Sequence, residues 1–168
     1  MISRRTARSL VVFALVVLLV AGAGAATPDD RVLVVEDAET GETLLTVPVS
    51  EGTPVALEYT HSVEKTRVLD GYAVDGTNLT MTRMEFESYG AGLPARANVT
   101  VENGTFVFDP EGTYEELYVK PGRIAGHELR VGGETYDLVA LSDARSVRLA
   151  VERRSALSHA LSVADSKL

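Results

Sequence analysis

Residues 69–86 read LDGYAVDGTNLTMTRMEF, and this stretch indicates the fold class. Polar and apolar residues alternate on both sides of Asp75-Gly76, a dipeptide that favours a tight turn between two antiparallel strands. The stretch therefore predicts a β-hairpin with one face of each strand in a core.

The alternation changes phase within the second strand of this hairpin. Leu79 and Met81 share one parity, whereas Met84 and Phe86 share the other. Since side chains in a strand point to opposite faces in turn, the two apolar pairs would face opposite sides of a regular strand. A β-bulge near Thr82-Arg83 would bring both pairs to the same core.

The same period of two continues through the body of the chain, residues 28–153, with turn residues between the runs. The pattern predicts one all-β domain of about ten short strands, arranged as a single antiparallel sandwich or a small open barrel. The predicted strands are 31–36, 43–49, 53–60, 69–74, 79–86, 98–102, 105–108, 115–120, 128–131, 135–141 and 146–152. Residues 154–168 predict a short helical or frayed tail.

The N-terminal segment, residues 1–27, has the order of a secretory signal. Arg4, Arg5 and Arg8 precede an apolar run over residues 10–20, and small residues follow over 21–26. An uncleaved membrane-anchor helix is the alternative, because residues 10–26 approach the length that spans a bilayer. Either interpretation places the body outside the cytoplasm, secreted or anchored to the cell membrane by this segment.

Composition excludes several classes of function. The 168 residues include no Cys, which rules out disulfides and thiolate chemistry. The chain has 16 basic and 24 acidic residues, for a net charge of −8, and three of the basic residues lie in the N-terminal segment. Because the body of the chain is strongly acidic, it repels the phosphate backbone of nucleic acids, and we expect no nucleic-acid partner. The acidic, lysine-poor composition is typical of a salt-adapted surface from a halophilic, archaeal source.

All three asparagines start an Asn-x-Thr triplet, the acceptor of N-linked glycans in exported proteins. Asn78, Asn98 and Asn103 are therefore candidate glycosylation sites. The alternative is that asparagine favours turns and threonine favours strands, so that hairpins produce the same triplets.

Two polar segments are the candidates for function: YTHSVEKT at residues 59–66 and EFESYGAGLP at 85–94. A strand end rich in polar side chains belongs at a surface, and a loop with two glycines lets a ligand approach the backbone. We expect the two segments to lie side by side as one ligand or partner surface, with donors that suit a small anionic solute. Its residues would be His61, Ser62, Glu64, Lys65, Thr66, Gly90, Gly92 and Pro94.

Other interpretations of these segments stay open. His61 and Ser62 would brace a turn in a purely structural role, and His61 with Glu64, Glu85 and Glu87 would form a metal site if the segments meet. A Ser/His hydrolase is disfavoured, because adjacent side chains in a strand point to opposite faces. Outside the two segments, we expect a structural or exposed role for His127. We expect core or edge positions for three tyrosines: Tyr114, Tyr118 and Tyr136.

The two motifs together resemble domain-of-unknown-function family eighteen-fifty, with a resemblance that spans residues 31–152. The chain departs from the family pattern at Arg67, where proline is expected, and at Asp70-Gly71. The resemblance implies an exported protein of the kind often encoded beside TAXI-class TRAP transporters, which move organic acids across membranes. It implies no cofactor and no catalytic residue.

From this resemblance we expect a non-enzymatic accessory protein. Its partner would be a TRAP-type transporter or the solute-binding subunit of one, together with a small organic acid, and only the N-terminal segment would touch the membrane. The alternative is a cell-surface enzyme, metal-dependent or not, that acts on the transported solute.

Overall fold

The computed structural model describes residues 30–88 and 99–154, of which 57% lie in strands and 4% in helix. Among these residues, no helix is long and apolar enough to cross a membrane. The elements are β1 (Arg31–Asp37), β2 (Thr43–Pro48), β3 (Pro54–Thr60), β4 (Arg67–Asp75), β5 (Asn78–Phe86), β6 (Thr100–Glu102), β7 (Thr105–Phe108), β8 (Thr113–Tyr114), β9 (Glu116–Val119), β10 (Glu128–Val131), β11 (Glu134–Asp137), α1 (Leu138–Ser142) and β12 (Val147–Arg153).

Several predictions concern residues outside the described ranges. They are the signal or anchor over 1–27, the tail after Arg154, and the individual residues Gly90, Gly92, Pro94 and Asn98.

The strands form two antiparallel sheets, which confirms the all-β prediction. The smaller sheet has the order β2-β1-β12-β9, and the larger has the order β11-β10-β3-β4-β5-β7-β6, with β8 paired to β5. Neither sheet closes into a barrel, so the arrangement is sandwich-like. The core lies between the sheets and includes Leu33, Val35, Leu149, Leu57, Val74, Leu79 and Leu129.

The predicted bulge in β5 is confirmed. Gly71 pairs with Arg83 and the next residue of β4, Tyr72, pairs with Met81, which leaves Thr82 as the extra residue. The bulge restores the phase of the apolar residues. On either side of it, Val68 lies opposite Phe86 and Val74 lies opposite Leu79, and all four side chains are buried.

The strand predicted over 135–141 is wrong in its second half. The strand ends at Asp137, and α1 begins there because the Asp137 carboxylate accepts the backbone N–H of Ala140 at 3.0 Å. A carboxylate in this capping position satisfies a backbone donor that a helix leaves unpaired, so it favours a helical turn over a further strand residue. Leu138 is fully buried at the first position of α1, and the apolar run serves the core as a helix. The sequence reading also missed β8.

Two of the candidate glycosylation sites lie in described parts of the chain. Asn103 is exposed and has a φ of 51° in the tight turn between β6 and β7, where Gly104 follows with a φ of 88°. Asn78 is half-buried at the first position of β5. Asn103 is therefore the better acceptor of the two.

Deletion of Thr82 is expected to prevent folding. Without the extra residue, Leu79 and Met81 would turn to solvent while Met84 and Phe86 stay in the core. Circular dichroism and thermal unfolding would show loss of the strand signal and of the cooperative transition. Thr82→Ala, at an exposed position, should stay within about 0.5 kcal/mol of the parent. A deletion variant that unfolds cooperatively would contradict the role of the bulge.

Candidate functional site

The loop between β3 and β4, residues 61–66, is braced by His61. The Nδ1 atom of His61 accepts the backbone N–H groups of Val63 at 3.3 Å and Glu64 at 3.2 Å. The backbone of His61 also donates to the Thr66 carbonyl and accepts from the Lys65 amide. His61 therefore determines the shape of the loop, and its Nδ1 atom is already occupied by two amides.

The other residues predicted in this loop differ in exposure. Ser62 and Lys65 are exposed, whereas Glu64 and Thr66 are half-buried. The Glu64 carboxylate accepts the hydroxyl of Ser88 at 3.2 Å, which brings the end of the chain after β5 against the loop. The rest of the second segment, residues 89–94, lies outside the described residues, so the single surface stays a prediction.

Glu85, one of the four residues of the alternative metal site, already forms ion pairs. Glu85 is paired with Arg67 at 2.8 Å and with Arg83 at 2.6 Å, and hydrogen bonds from Arg67 and then Arg83 hold its pKa below the ordinary value. A carboxylate neutralised by two guanidinium groups is a poor ligand for a cation. In the ranges 30–88 and 99–154, no three His, Asp or Glu side chains are grouped to hold a metal ion.

Glu85 belongs to a ladder of ion pairs on the outer face of the larger sheet. The ladder takes its members from five of the six strands it spans, and its charges alternate in sign from one member to the next. Neighbouring members lie 2.6 to 3.8 Å apart, in the order Glu128, Arg130, Glu58, Arg67, Glu85, Arg83 and Glu102. These charges are partnered within the fold, so a ligand would have to displace an existing pair to bind them.

The inner face of the same sheet holds a cavity of about 260 Å³. It lies between β3 and β4 on one side and β9, the edge strand of the smaller sheet, on the other. We call this cavity the pocket. Its lining residues are Leu57, Tyr59, Asp70, Tyr72, Leu117, Tyr118, Val119, Lys120 and His127.

Asp70 is the acidic group of the pocket. It shares one face of β4 with Val68 and Tyr72, which are both buried, so its carboxyl group lies on the core side of the sheet. Burial raises the pKa of Asp70 to about 6, and a hydrogen bond from the Tyr59 hydroxyl opposes that rise in part. Among the ion pairs of the described residues, none involves Asp70.

Two aromatic rings close one side of the pocket. Tyr59 stacks on His127 with ring centres 4.9 Å apart and an angle of 9° between the planes. Burial, with Asp70 adding to it, raises the pKa of Tyr59 to about 12, and burial also raises the pKa of Tyr72. Both hydroxyls therefore stay protonated at neutral pH, the Tyr59 hydroxyl donating to Asp70.

His127 is held as a neutral ring. Burial lowers its pKa, and its Nδ1 atom accepts the backbone N–H of Gly122 at 3.2 Å. With Nδ1 acting as an acceptor, the proton of the neutral ring is on Nε2, which is a donor. Lys120 lies at the pocket edge, is exposed, and forms no ion pair within the described part of the chain.

Sequence reasoning missed most of this pocket. The sequence pattern includes Tyr59 in a candidate segment, but it predicts only a structural or exposed role for His127. For Asp70 it indicates only a departure from the family pattern. The signal that could have found the site is the parity of β4, where Asp70 falls among residues that alternate into the core. An acidic residue on an apolar strand face needs a partner or a function.

The loop of residues 61–66 lies beside residues 121–126, because the Thr60 amide donates to the Ala125 carbonyl at 2.8 Å. We call these two loops the rim. Each presents one exposed aliphatic side chain: Val63 is 69% exposed and Ile124 is 83% exposed. The rim adjoins the pocket, since Lys120 and His127 directly flank the loop 121–126 and Tyr59 lies two residues before the loop 61–66.

One family model matches the chain over residues 55–138, half of its 168 residues, and carries the description "Domain of unknown function (DUF1850)". The matched stretch includes all the residues that line the pocket. No curated protein and no solved structure shows significant similarity to the chain.

Asp70→Asn is expected to stabilise the fold at neutral pH. The folded-state pKa of Asp70, about 6, lies above its ordinary value of 3.8, so the ionised form is disfavoured in the fold and stability falls as pH rises from about 4 to 6. Removing this charge should raise the free energy of unfolding by about 1–3 kcal/mol at pH 7.5 and leave it nearly unchanged at pH 3.5.

Thermal and urea unfolding at the two pH values would measure this difference. Asp75→Asn is the matched control, because Asp75 is exposed at the end of the same strand. Equal effects of the two substitutions at pH 7.5 would show that Asp70 does not carry an unfavourable buried charge.

Proposed function

The chain belongs to the family described as a domain of unknown function (DUF1850), and from that premise we propose that it is a non-enzymatic accessory protein that binds a small organic acid in its pocket on behalf of a TAXI-type TRAP transporter. The observation that carries the proposal is the pocket itself. It is a concave site in which three aliphatic side chains adjoin six polar or aromatic ones, and convergent polar groups beside apolar surface are typical of a small-molecule site.

The polar groups of the pocket suit an organic acid. Lys120 offers an ammonium group at the edge, and the neutral ring of His127 and the hydroxyl of Tyr72 offer donors. The apolar walls come from Leu57, Leu117 and Val119. A carboxylate held at the edge by Lys120 would leave its carbon chain against these walls.

Binding without turnover is the form of the proposal that the chemistry supports. The pocket is lined by no serine or threonine that a neighbouring base would activate as a nucleophile. Ser62 lies outside the pocket, and the Nδ1 atom of its neighbour His61 accepts two backbone amides. The alternative, a cell-surface enzyme, would be detected as consumption of the bound solute.

We place the protein outside the cytoplasm, secreted or anchored by residues 1–27, because that segment has the charge and hydropathy order of a signal or anchor. We also propose that the protein is glycosylated, because of its Asn-x-Thr triplets, and that it is adapted to high salt, because of its acidic composition.

The rim is the surface we propose for a protein partner. Val63 and Ile124 are exposed aliphatic side chains on adjacent loops beside the pocket, and a partner that covered them would remove their apolar surface from water. The chain enters the domain at the opposite end, where the Arg31 guanidinium donates to the carbonyl of Gly76 in the β4–β5 turn. An anchor that precedes the domain would leave the rim facing away from the membrane, toward the solute-binding subunit.

Replacement of Lys120 by glutamate is expected to weaken binding of organic acids at least ten-fold, because it replaces the cation at the pocket edge with a like charge. Calorimetric titration of a panel of mono- and dicarboxylates would measure this change. Lys65→Glu is the matched control: Lys65 is also exposed and lies on the rim, but it does not line the pocket.

Equal affinity in the two lysine variants would remove Lys120 from the site. Chromatography of the ligand after each titration tests the other half of the proposal, since a converted ligand would favour the enzyme alternative.

The double substitution of Val63 and Ile124 by aspartate is expected to weaken binding to the TAXI solute-binding subunit at least ten-fold, as measured by surface plasmon resonance. The change removes the two apolar side chains and adds charge at the centre of the proposed contact. Val101→Asp is the control, because Val101 is 63% exposed on β6, away from the rim. An equal loss in both proteins would indicate a nonspecific effect and contradict docking at the rim.

A further inference from the structure

We infer that the pocket selects ligands that carry a protonated amine, and that this amine pairs with the Asp70 carboxylate. The organic acid of the proposed function, on which this inference rests, would then be a small amino acid in its zwitterionic form.

The first argument is the missing counter-charge at Asp70. The other buried or half-buried carboxylates of the strands are paired with arginine: Asp37 with Arg145, Glu36 with Arg148, Glu58 with Arg67, Glu85 with Arg67 and Arg83, and Glu128 with Arg130. Among the side chains of residues 30–88 and 99–154, only the Tyr59 hydroxyl forms a hydrogen bond with Asp70. A carboxylate removed from water is costly unless a cation and hydrogen bonds compensate it. A bound ligand would supply that cation.

The second argument is the aromatic surroundings of Asp70. Tyr72 follows Asp70 by two residues on the same face of β4, and Tyr59 lies on the neighbouring strand β3 and donates to the Asp70 carboxyl. The faces of aromatic rings attract cations, and the attraction is larger where water is excluded. A carboxylate beside two tyrosines is a favourable environment for an ammonium group and an unfavourable one for a second carboxylate.

The third argument is the distribution of charge along the pocket. Asp70 lies on the inner face of β4, whereas Lys120 lies exposed at the edge after β9. A ligand with an ammonium group at one end and a carboxylate at the other would match both. The volume of about 260 Å³ lies below the usual range for drug-sized ligands, so the ligand is small.

The sign of the pH dependence separates an amine ligand from a simple acid. An ammonium group needs an ionised Asp70, so its binding should weaken as pH falls through about 6. A ligand that places a carboxylate near Asp70 needs a protonated Asp70, so its binding should strengthen over the same range. The other titratable groups that face the pocket are Tyr59, Tyr72, Tyr118, Lys120 and His127, and of these His127, whose pKa burial lowers, is the one that would titrate near this range.

The experiment compares matched ligands on the full-length protein. Each standard L-amino acid would be titrated by calorimetry beside the carboxylic acid that lacks its amine, such as leucine beside 4-methylpentanoate, at half-unit steps from pH 5 to pH 8. We expect at least one amino acid to bind at least ten-fold more tightly than its matched acid at pH 7.5. Its affinity should fall toward ten-fold per pH unit below pH 6.

Two variants assign the effect to Asp70. Asp70→Asn should remove the preference for the amine and flatten the pH profile, and circular dichroism would establish that the variant keeps its strand content. His127→Gln should retain a profile centred near pH 6, because Asp70 is intact. If the pH dependence of amino-acid affinity vanished in His127→Gln and persisted in Asp70→Asn, the inference would be overturned.

The possible failures are distinguishable. If the matched acids bind as tightly as the amino acids or more tightly, and Lys120→Glu weakens them, the proposed function stands and the inference about the amine is wrong. If neither class of ligand binds the full-length protein, both the inference and solute binding in the pocket are wrong.

Discussion

The larger sheet depends on one extra residue, Thr82, in its central hairpin. Strand side chains alternate between faces, and the apolar residues of β5 change phase halfway along the strand. The bulge restores the phase, so that Leu79 and Phe86 face the same core as Val74 and Val68 on β4. It also places Arg83 against Gly71, where a Cβ atom would lie 3.2 Å from the Arg83 carbonyl oxygen. The close approach of β4 and β5 next to Asp70 therefore favours glycine at position 71.

The two faces of this sheet treat charge in opposite ways. On the outer face, each carboxylate of the ladder lies beside a guanidinium group, and Arg67, Arg83 and Arg130 each contact two carboxylates. Such pairs keep an acidic protein from concentrating negative charge on one surface. On the inner face, Asp70 is half-buried, and among the described residues no cation pairs with it. Unfavourable placement of a single charged group in a cavity is typical of a site that uses this charge to bind.

The pocket and the rim occupy the same end of the domain because β10 begins beside the end of β3. Thr60 and Ala125 are hydrogen-bonded across the two loops, and Tyr59 and His127 stack just beneath them. A partner that contacts Val63 and Ile124 would therefore lie over the entrance to the pocket. His61, which braces the β3–β4 loop through two amides, contributes to this arrangement by keeping Val63 exposed.

Local sequence was sufficient for the all-β class, most strand positions and the bulge, because strand periodicity and turn dipeptides are properties of neighbouring residues. It was sufficient also for the Asn103-Gly104 turn, where both residues adopt positive φ. It failed at α1, where a single capping hydrogen bond from the Ala140 amide to the Asp137 carboxylate outweighed the β-branched and apolar composition. The pocket was decided only by the tertiary structure: Tyr59, Asp70 and His127 come from three separate parts of the chain, and strand order alone brings them together. The unpaired state of Asp70 has the same origin, since the arginines that neutralise its neighbours lie on the opposite face of the sheet, and no local pattern records which face a distant strand presents.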